Sequence, residues 1–498
     1  MGISTVFHNY KNFFSTKLPV ILLLLSAITL FIYTSLRAHL LSMTHDESGS
    51  FTIWTEYPIF SCFVDPSCWR TANLHFLYVL MMKGTLSLFG TSELAIRMPS
   101  LIGHLVYLIF SWKLVKMWSE KPWVVLFGFI ILNSNPFLLE FFSLARGYGL
   151  ANTFLMVSIY YTGVFLKTKQ KAAAWGMFGG AFLAVFSNFT MLNFYACMTA
   201  SVGLVPLYLF LKKEKTDWRP WLYLLGVGAL ISFVLFGLLY MPITSLSSGG
   251  EFEYGAKSFW DTIDSNVKSS LYTVKYMHSN HVQIFGGLFL LMLAIGLVLS
   301  VLLFLKSPKN TKAQFALVVS CLPMLVALAT VVQHYLLGVN YLQGRTALVF
   351  VPLTTVALFF FVENILQKED GWWRRAIPVM IGVFCAVHAF RSYQLSGTYE
   401  WWYDARTKDM VEYMASIVPE GKRVKLGMHW VFHPTTRFYC ETVPYDFTES
   451  LLYEKQLRDD IFYDYYYVNP GEETMLNPRY KVEKKFLWAG VLMVRDSL

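Results

Sequence analysis

The chain of 498 residues is 55% hydrophobic and 17% aromatic, and only 15% of its residues are charged. A single soluble core could not bury that much apolar surface, so the composition indicates an integral membrane protein and excludes a soluble globular one. The formal net charge of +9 lies in scattered short loops without a dense basic stretch interleaved with aromatic residues, which argues against a nucleic-acid partner.

Apolar runs long enough to cross the membrane recur along the chain, since about 20 helical residues span about 30 Å of hydrocarbon. Eleven spans are predicted, near 18–36, 98–118, 122–140, 148–166, 172–190, 193–211, 220–241, 283–305, 314–333, 346–366 and 376–390. The first lacks a small-residue cleavage site, so we expect it to be a retained helix.

The loops between the spans predict the orientation, because Lys and Arg accumulate on the cytoplasmic side. These residues collect in alternate connections, namely 113–121, 167–171, 212–219, 306–312 and 368–375. We therefore expect a cytoplasmic N-terminus. The loop after the first span, the 242–282 loop and the chain after about residue 391 are expected on the outer side.

The first outer segment, about 37–97, is too long for a simple connector. Its pattern predicts helices from Glu47 to about Tyr57 and over 74–89, the second lying on or in the membrane interface. Cys62 and Cys68 share this segment. An oxidising exterior would permit a disulfide, but the spacing does not fix its geometry, so the pairing stays open.

Two adjacent carboxylates, Asp46 and Glu47, follow the first span. Ionisable groups against a bilayer are costly and usually handle a substrate, a proton or a metal. The pair could act as a general base for a hydroxyl, bind a divalent cation, or anchor a sugar hydroxyl. The structural alternative is an exposed helix N-terminus, capped by Thr44 or Ser42 and stabilised by the helix dipole.

Four basic or polar residues lie on the same predicted side of the membrane. His75 opens the second outer helix, and Arg97, Arg146 and Arg345 lie at the outer ends of spans. Converging guanidinium groups suit a phosphate, because each offers a planar fork of donors that stays charged. The alternatives are a packed histidine and arginines that reach the lipid headgroups.

The composition changes after about residue 391, where charged residues return. Strand-like runs at 424–427, 462–468 and 486–494 alternate with helical stretches. This predicts an α/β domain over 391–498, after a transmembrane domain over 1–390.

In the 242–282 loop, residues 260–276 have a helical pattern. The loop is either a mobile cover or a passive connector.

Several motifs follow one another in a fixed order. The acidic pair comes first, then 73–77 with its histidine, then 88–100 (LFGTSELAIRMPS), then Asn135-Pro136 and 145–148 (ARGY). Over about residues 18–170 the chain resembles the GT-C superfamily of membrane glycosyltransferases, in the branch of protein O-mannosyltransferases and lipid A aminoarabinose transferases. The 73–77 segment departs from that branch, because it keeps the histidine and lacks the prolines.

The resemblance implies a polytopic α-helical GT-C-like fold, and transfer of a sugar from a polyprenyl-phosphate-linked donor to a glycan, lipid or protein acceptor. Transfer would take place at the outer face, usually with inversion, in a protein of the bacterial inner membrane. By this resemblance Asp46 would be the catalytic carboxylate and Glu47 its neighbour, with a divalent cation at the pair left open. We expect the substrate to be bound by His75, Arg97, Glu140, Arg146, Tyr148 and Arg345.

Two other classes of function are alternatives to this one. A transporter or flippase would place charges or broken helices near the membrane midplane, whereas the later spans hold few ionisable residues. A non-catalytic scaffold would not need Asp46 or Arg146. The sugar, the acceptor and the oligomeric state are not determined by the sequence.

Overall fold

The computed structural model describes residues 13–69, 71, 73–251, 254–273, 280–366, 372–443, 446–449, 451, 463–476, 478–487 and 489–496. Most of these residues are helical. The helices are α1 (Leu18–Leu40), α2 (His45–Trp54), α3 (Phe76–Phe89), α4 (Glu93–Trp118), α5 (Pro122–Asn133), α6 (Pro136–Phe141), α7 (Gly147–Thr168), α8 (Lys171–Ser187), α9 (Met191–Leu211), α10 (Arg219–Ser248), α11 (Phe259–Ser270), α12 (Asn280–Lys306), α13 (Thr311–Leu337), α14 (Phe350–Leu366), α15 (Trp372–Ser392), α16 (Thr407–Ile417) and α17 (His433–Thr442).

Eight helices in the described ranges are long and apolar enough to cross a membrane. They are Phe13–Leu40, Glu93–Trp118, Gly147–Thr168, Met191–Leu211, Arg219–Ser248, Val282–Lys306, Thr311–Leu337 and Gly344–Glu363. The other three predicted spans coincide with shorter apolar helices, at Pro122–Asn133, Lys171–Ser187 and Val379–Ser392. The helical membrane architecture is therefore confirmed, while the number of eleven crossings stays a prediction.

The predicted span over 122–140 is interrupted. Helix α5 ends at Asn133, whose side-chain amide donates to the carbonyl of Phe129 at 2.7 Å. Asn135 then caps the short helix α6 by accepting from the amide of Leu138 at 3.0 Å, with Pro136 in the first turn. A proline has no backbone N–H and is favoured in the first turn of a helix, so Pro136 together with the Asn135 cap favours a new helix start here.

Helices α2 and α3 lie close to the predicted positions in the segment between α1 and α4. Helix α3 buries one face, including Tyr78, Val79 and Met82. Two short 3-10 turns between α2 and α3 carry Cys62 and Cys68, which form a disulfide with a Cα–Cα distance of 5.2 Å.

The 242–282 loop is shorter than predicted. Helix α10 continues to Ser248, and α11 ends at Ser270, before the predicted end at 276. Residues 274–279 lie outside the described residues.

The C-terminal domain contains a four-stranded sheet in the order β1-β2-β4-β3, formed by β1 (Leu426–Met428), β2 (Tyr465–Val468), β3 (Tyr480–Lys485) and β4 (Val491–Arg495). Strands β1 and β2 are parallel, and the other neighbours are antiparallel. The predicted strand over 486–494 was wrong in its first half, because β4 begins only at Val491 and the described residues 486, 487, 489 and 490 lie outside any strand. Strand β3 was missed because it is an exposed edge strand rich in lysine and glutamate.

The C-terminal domain packs directly on α2. The ring of Phe438 on α17 meets Phe51 on α2 edge to face, with a centroid distance of 5.2 Å. The hydroxyl of Tyr439 accepts from the amide of Met43 at 2.8 Å. The domain therefore covers the helix whose first turn carries both acidic residues.

Candidate active site

The first turn of α2 is built by a capping box. The hydroxyl of Thr44 accepts from the amide of Glu47, and the Glu47 carboxylate accepts from the amide of Thr44 at 2.9 Å. A threonine followed three residues later by a glutamate is the sequence signature of this motif. The capping box holds the Glu47 carboxylate at the helix start, whereas the Asp46 carboxylate, in the same turn, is not part of it.

Glu47 is completely buried against Arg97. Its two oxygens accept from Nε and Nη2 of Arg97, both at 2.8 Å, and one oxygen also accepts from the amide of Ala145. Burial acts to raise the pKa of Glu47, but Arg97 outweighs it, so the pKa is lowered and the carboxylate is ionised at neutral pH. Because Glu47 is buried and both of its oxygens accept hydrogen bonds within the protein, it is not available to a substrate.

Arg97 has no spare donor either. Besides the two bonds to Glu47, it donates to the carbonyl oxygens of Ala38, Leu41 and Ser42 at 2.8–3.1 Å. All five N–H groups of a guanidinium are thereby used. We predicted a phosphate contact for Arg97, and its geometry favours a different role, which is to join α4 to the end of α1 and the start of α2.

Asp46 has a different environment. Its Oδ2 lies 3.3 Å from Nη2 of Arg146 and 3.4 Å from Nη2 of Arg345, so two guanidinium groups share one carboxylate oxygen. Burial acts to raise the pKa of Asp46, but Arg146 and then Arg345 outweigh it, so the pKa is lowered. Trp401 also acts to lower the pKa of this carboxylate. Of its side chain, 9% is exposed.

Arg146 precedes α7 and is completely buried. Its Nη1 donates to the hydroxyl of Ser50 and its Nη2 to the side chain of Asn73, both at 2.9 Å. Within the described part of the chain, its Nε has no hydrogen-bond partner. A buried guanidinium N–H without an acceptor is costly, and such groups indicate a ligand site or bound water.

Arg345 lies at the start of the span Gly344–Glu363 and is 17% exposed. The carboxylate of Glu400 accepts from its amide at 2.6 Å and from Nη1 at 2.7 Å. The guanidinium also lies over the rings of Tyr254 and Trp401, 5.2 and 5.1 Å from the centroids. Its Nε is again unpartnered among the residues that the structure describes.

His75 and Tyr148 line the same site. Their rings meet edge to face with a centroid distance of 5.0 Å, and Arg146 lies 5.9 Å from the Tyr148 ring centroid. Burial, and then the nearby charges of Arg146 and Arg345, hold the pKa of His75 well below its usual range. His75 is therefore neutral, and its Nε2 lacks a hydrogen-bond partner in the described ranges.

Glu140 belongs to a second cluster. It pairs with Arg37 on α1 at 3.1 Å and accepts from the hydroxyl of Tyr272 and the amide of Tyr399. The structure shows no contact of Glu140 with Asp46 among the residues it describes. Its geometry favours a structural role over the substrate contact that we predicted.

Sequence reasoning missed the segment between α15 and α16, which supplies Glu400, Trp401 and Asp404. Asp404 accepts from the amide of His45, the residue before Asp46, at 2.6 Å. The available signal was an acidic and strongly aromatic run, EWWYD at 400–404, a short distance after the last span. Arg37 was also missed, although it lies at the end of a span as the three predicted arginines do.

The residues at the acidic pair do not fit a divalent cation. Hard cations prefer several carboxylate or carbonyl oxygens, whereas Asp46 lies between two guanidinium groups and Glu47 is saturated by Arg97. Groups of three or more His, Cys, Asp or Glu side chains suitable for a metal are absent from the described ranges.

A cavity of about 510 Å³ lies among α5 and α11–α15. Its walls are mostly apolar, with Phe289, Met292 and Leu358 among the lining residues, and Ile263 of α11 lines it too. Helix α11 is linked to the site, because the amide of Gly344, which precedes Arg345, donates to the hydroxyl of Ser265 at 2.8 Å. The size is that of a typical small-molecule or lipid site.

The helix arrangement and the small C-terminal sheet are similar to the fold of solved membrane glycosyltransferases of the GT-C superfamily. The fold that the sequence motifs predicted is therefore confirmed. Neither a protein-family model nor a curated protein matches the chain.

Solved structures of this fold match most of the chain. ArnT from Cupriavidus metallidurans bound to undecaprenyl phosphate matches with a TM-score of 0.51 at 12% identity, over 95% of this chain and 97% of ArnT. The oligosaccharyltransferase from Archaeoglobus fulgidus, tethered to an acceptor peptide, matches with a TM-score of 0.50 at 12% identity, over 88% of this chain and 64% of its own. At these identities the similarity concerns the fold.

Proposed function

We propose that this protein is a glycosyltransferase that moves a sugar from a polyprenyl-phosphate-linked donor to an acceptor at the outer face of the membrane, with inversion. The observation that carries the proposal is the Asp46 carboxylate shared between Arg146 and Arg345. A base and a phosphate-binding pair meet there, on elements that are far apart in sequence.

The two arginines bind the phosphate of the donor. Each has an Nε without a partner in the described structure, and Arg345 is partly exposed. As the bond between the sugar and the phosphate breaks, negative charge grows on the phosphate oxygens, and prepositioned guanidinium groups stabilise that charge. His75, which is neutral and unpartnered at Nε2 in the described ranges, is placed to bind a hydroxyl beside them.

Asp46 acts as the general base. The acceptor hydroxyl gives its proton to the Asp46 carboxylate, the acceptor oxygen forms a bond to the anomeric carbon, and polyprenyl phosphate leaves with the bonding electrons. When the arginines turn toward the phosphate, their hold on Asp46 weakens and its basicity rises. Of the two neighbouring carboxylates only Asp46 is accessible, which favours one displacement step with inversion over a covalent intermediate.

Three further observations support this proposal. The apolar cavity, which α11 helps to line, offers a place for prenyl units, and Ser265 of α11 accepts from the amide of Gly344, the residue before Arg345. ArnT, which shares the fold, has been solved with undecaprenyl phosphate. The disulfide between Cys62 and Cys68 supports an oxidising compartment on the side of Asp46, as expected outside the cytoplasm.

The proposal is tested with the variant Asp46→Asn, which keeps the shape of the side chain and removes the base. We expect one sugar unit to disappear from the surface glycans or lipids of cells in which this variant replaces the wild type, as measured by mass spectrometry. Asp409→Asn is the matched control, because Asp409 is a 46% exposed side chain on α16.

Cells with Asp409→Asn should keep the full set of glycans. If Asp46→Asn cells also keep it, Asp46 is not the base. If cells lacking the protein altogether show an unchanged set, the assignment as a glycosyltransferase fails. The mass of the missing unit would also identify the sugar.

A further inference from the structure

Glu400 lies against the phosphate-binding arginine. Its two oxygens accept from the amide and Nη1 of Arg345 at 2.6 and 2.7 Å. Gly344 makes this approach possible, because a Cβ at that position would lie 2.3 Å from the Glu400 carboxylate, and the backbone there has φ +54°. A side chain at 344 would therefore push Glu400 away from Arg345.

The segment that carries Glu400, which we call the 394–404 strap, is fixed on one side by a buried ion pair. Arg37 donates to the carbonyl oxygens of Gln394 and Gly397 at 2.5 and 3.1 Å. Its partner Glu140 accepts from the amide of Tyr399 with both oxygens, at 3.1 and 3.0 Å. The residue directly before Glu400 is thus held by its main chain.

The other end of the strap is fixed by Asp404. Asp404 is buried and accepts from the amide of His45 at 2.6 Å and from the hydroxyl of Thr407 at 3.1 Å. With both ends fixed, the main chain of the strap holds Glu400 beside Arg345 when an anion binds there.

The charges at the site therefore balance before any substrate enters. Among the described residues of the site, the guanidinium groups of Arg146 and Arg345 face the carboxylates of Asp46 and Glu400 in ion pairs of 2.7–3.4 Å. Burial raises the pKa of Glu400, and the charge of Arg345 beside it acts to lower that pKa and favours the ionised carboxylate. The other titratable groups that face Glu400 are Glu140, Tyr254, Tyr399 and Tyr403. An entering phosphate adds a negative charge within a few ångströms of Glu400 and is repelled by it.

The donor and the product of the proposed reaction differ in charge. In the donor the phosphate is a diester with one negative charge. The product, polyprenyl phosphate, is a monoester, and such groups carry a charge of about −1.5 to −2 at pH 7. A fixed carboxylate beside the binding arginine repels the product more strongly than the donor.

We propose that Glu400 is a specificity-determining residue, whose fixed negative charge beside Arg345 makes the site favour a singly charged phosphodiester over the more highly charged phosphomonoester and so promotes release of the lipid product. This inference rests on the proposed function and adds a residue of the C-terminal segment to it. Since the effect is electrostatic, neutralising Glu400 tightens phosphate binding, whereas loss of a merely structural contact would weaken it.

The test measures binding of two probes to the purified full-length protein in lipid nanodiscs. The probes are undecaprenyl phosphate and its methyl diester, which differ in charge and have the same prenyl chain. We expect Glu400→Gln to bind the monoester about tenfold more tightly than the wild type does, and the diester by a clearly smaller factor. Glu412→Gln, on an exposed position of α16, is the matched control and should change neither affinity.

The outcomes separate this inference from the proposed function. If the wild type binds both probes and Glu400→Gln binds the monoester equally or more weakly, the role of Glu400 is refuted and the proposed function is untouched. If Glu400→Gln increases the affinity for both probes by the same factor, Glu400 does not distinguish them and the inference also fails. A wild type that binds neither probe would refute the polyprenyl-phosphate donor itself. Gly344→Ala, which displaces Glu400 by a different route, should change the two affinities in the same direction as Glu400→Gln.

Discussion

Asp46 and Glu47 are neighbours in sequence and occupy opposite kinds of environment. Arg97 donates hydrogen bonds to Glu47 and to three main-chain carbonyl oxygens, so neither side chain has a hydrogen-bonding group free for a ligand. Asp46 shares one oxygen between Arg146 and Arg345, and both of those arginines have an Nε without a partner in the described structure.

The two ion pairs differ in whether their buried donors all have acceptors. Buried polar groups in folded proteins are nearly always paired, so a group of unpaired donors around one carboxylate needs a reason. At the Glu47–Arg97 pair the reason for burial is to hold three chain segments together. At Asp46 the unpaired donors of Arg146 and Arg345 are the groups that we propose bind the donor phosphate.

The largest effect we expect is on stability at the satisfied pair. Glu47→Gln leaves the Arg97 charge buried without its partner, and breaking a buried pair in this way costs about 3–5 kcal/mol. Asp46→Asn should cost clearly less, because Arg345 keeps Glu400 and Arg146 keeps Ser50 and Asn73. Thermal unfolding of both variants in detergent measures the difference.

If Glu47→Gln and Asp46→Asn destabilise the protein equally, the Glu47–Arg97 pair is not more important for stability than the ion pairs of Asp46. A stable Glu47→Gln protein that has lost activity would give Glu47 a direct role in chemistry.

The next largest effect that we expect is on the pH dependence of kcat/KM, which tests whether Asp46 is the general base. Arg146 and Arg345 lower the pKa of Asp46, and a general base must be deprotonated to act. Arg345→Gln removes one of these charges, so the pKa of Asp46 rises and the acid limb of the kcat/KM profile moves to higher pH. At neutral pH we also expect kcat/KM to fall by about 10²-fold, since one phosphate-stabilising group is lost.

The control for this variant is Arg437→Gln, because Arg437 is a 48% exposed residue of α17 that pairs with Glu441. It should leave the profile unchanged. An acid limb that stays in place in Arg345→Gln would show that a group other than Asp46 limits the rate at low pH.

The same comparison shows what the sequence could and could not predict. The alternation of basic loops predicts that Asp46, Arg146 and Arg345 lie on one side of the membrane, and the structure shows that their side chains meet. The sequence could not tell Arg97 from the other arginines, because its acceptors are the carbonyls of Ala38, Leu41 and Ser42, which only the packing of α1 against α4 brings near.

The 394–404 strap was not predictable for a related reason. It has neither helical nor strand periodicity, and its side chains and main chain bond to residues hundreds of positions away, such as Arg37 and His45. In the C-terminal domain the buried strands β1 and β2 gave apolar signals, whereas the exposed edge strand β3 gave none. Local patterns predict elements well where burial dictates the residue type, and poorly where tertiary contacts do.

The smallest expected effect is that of removing metal ions. A divalent cation at Asp46 would have to displace two guanidinium groups from its carboxylate, and Glu47 could join only by leaving Arg97. We therefore expect the rate of sugar transfer to be the same before and after dialysis against EDTA, and after Mg²⁺ or Mn²⁺ is added back. A rate that falls with EDTA and returns with the metal would mean that a cation binds at these carboxylates during the reaction, and Asp46 and Glu47 would then differ less than their hydrogen bonds indicate.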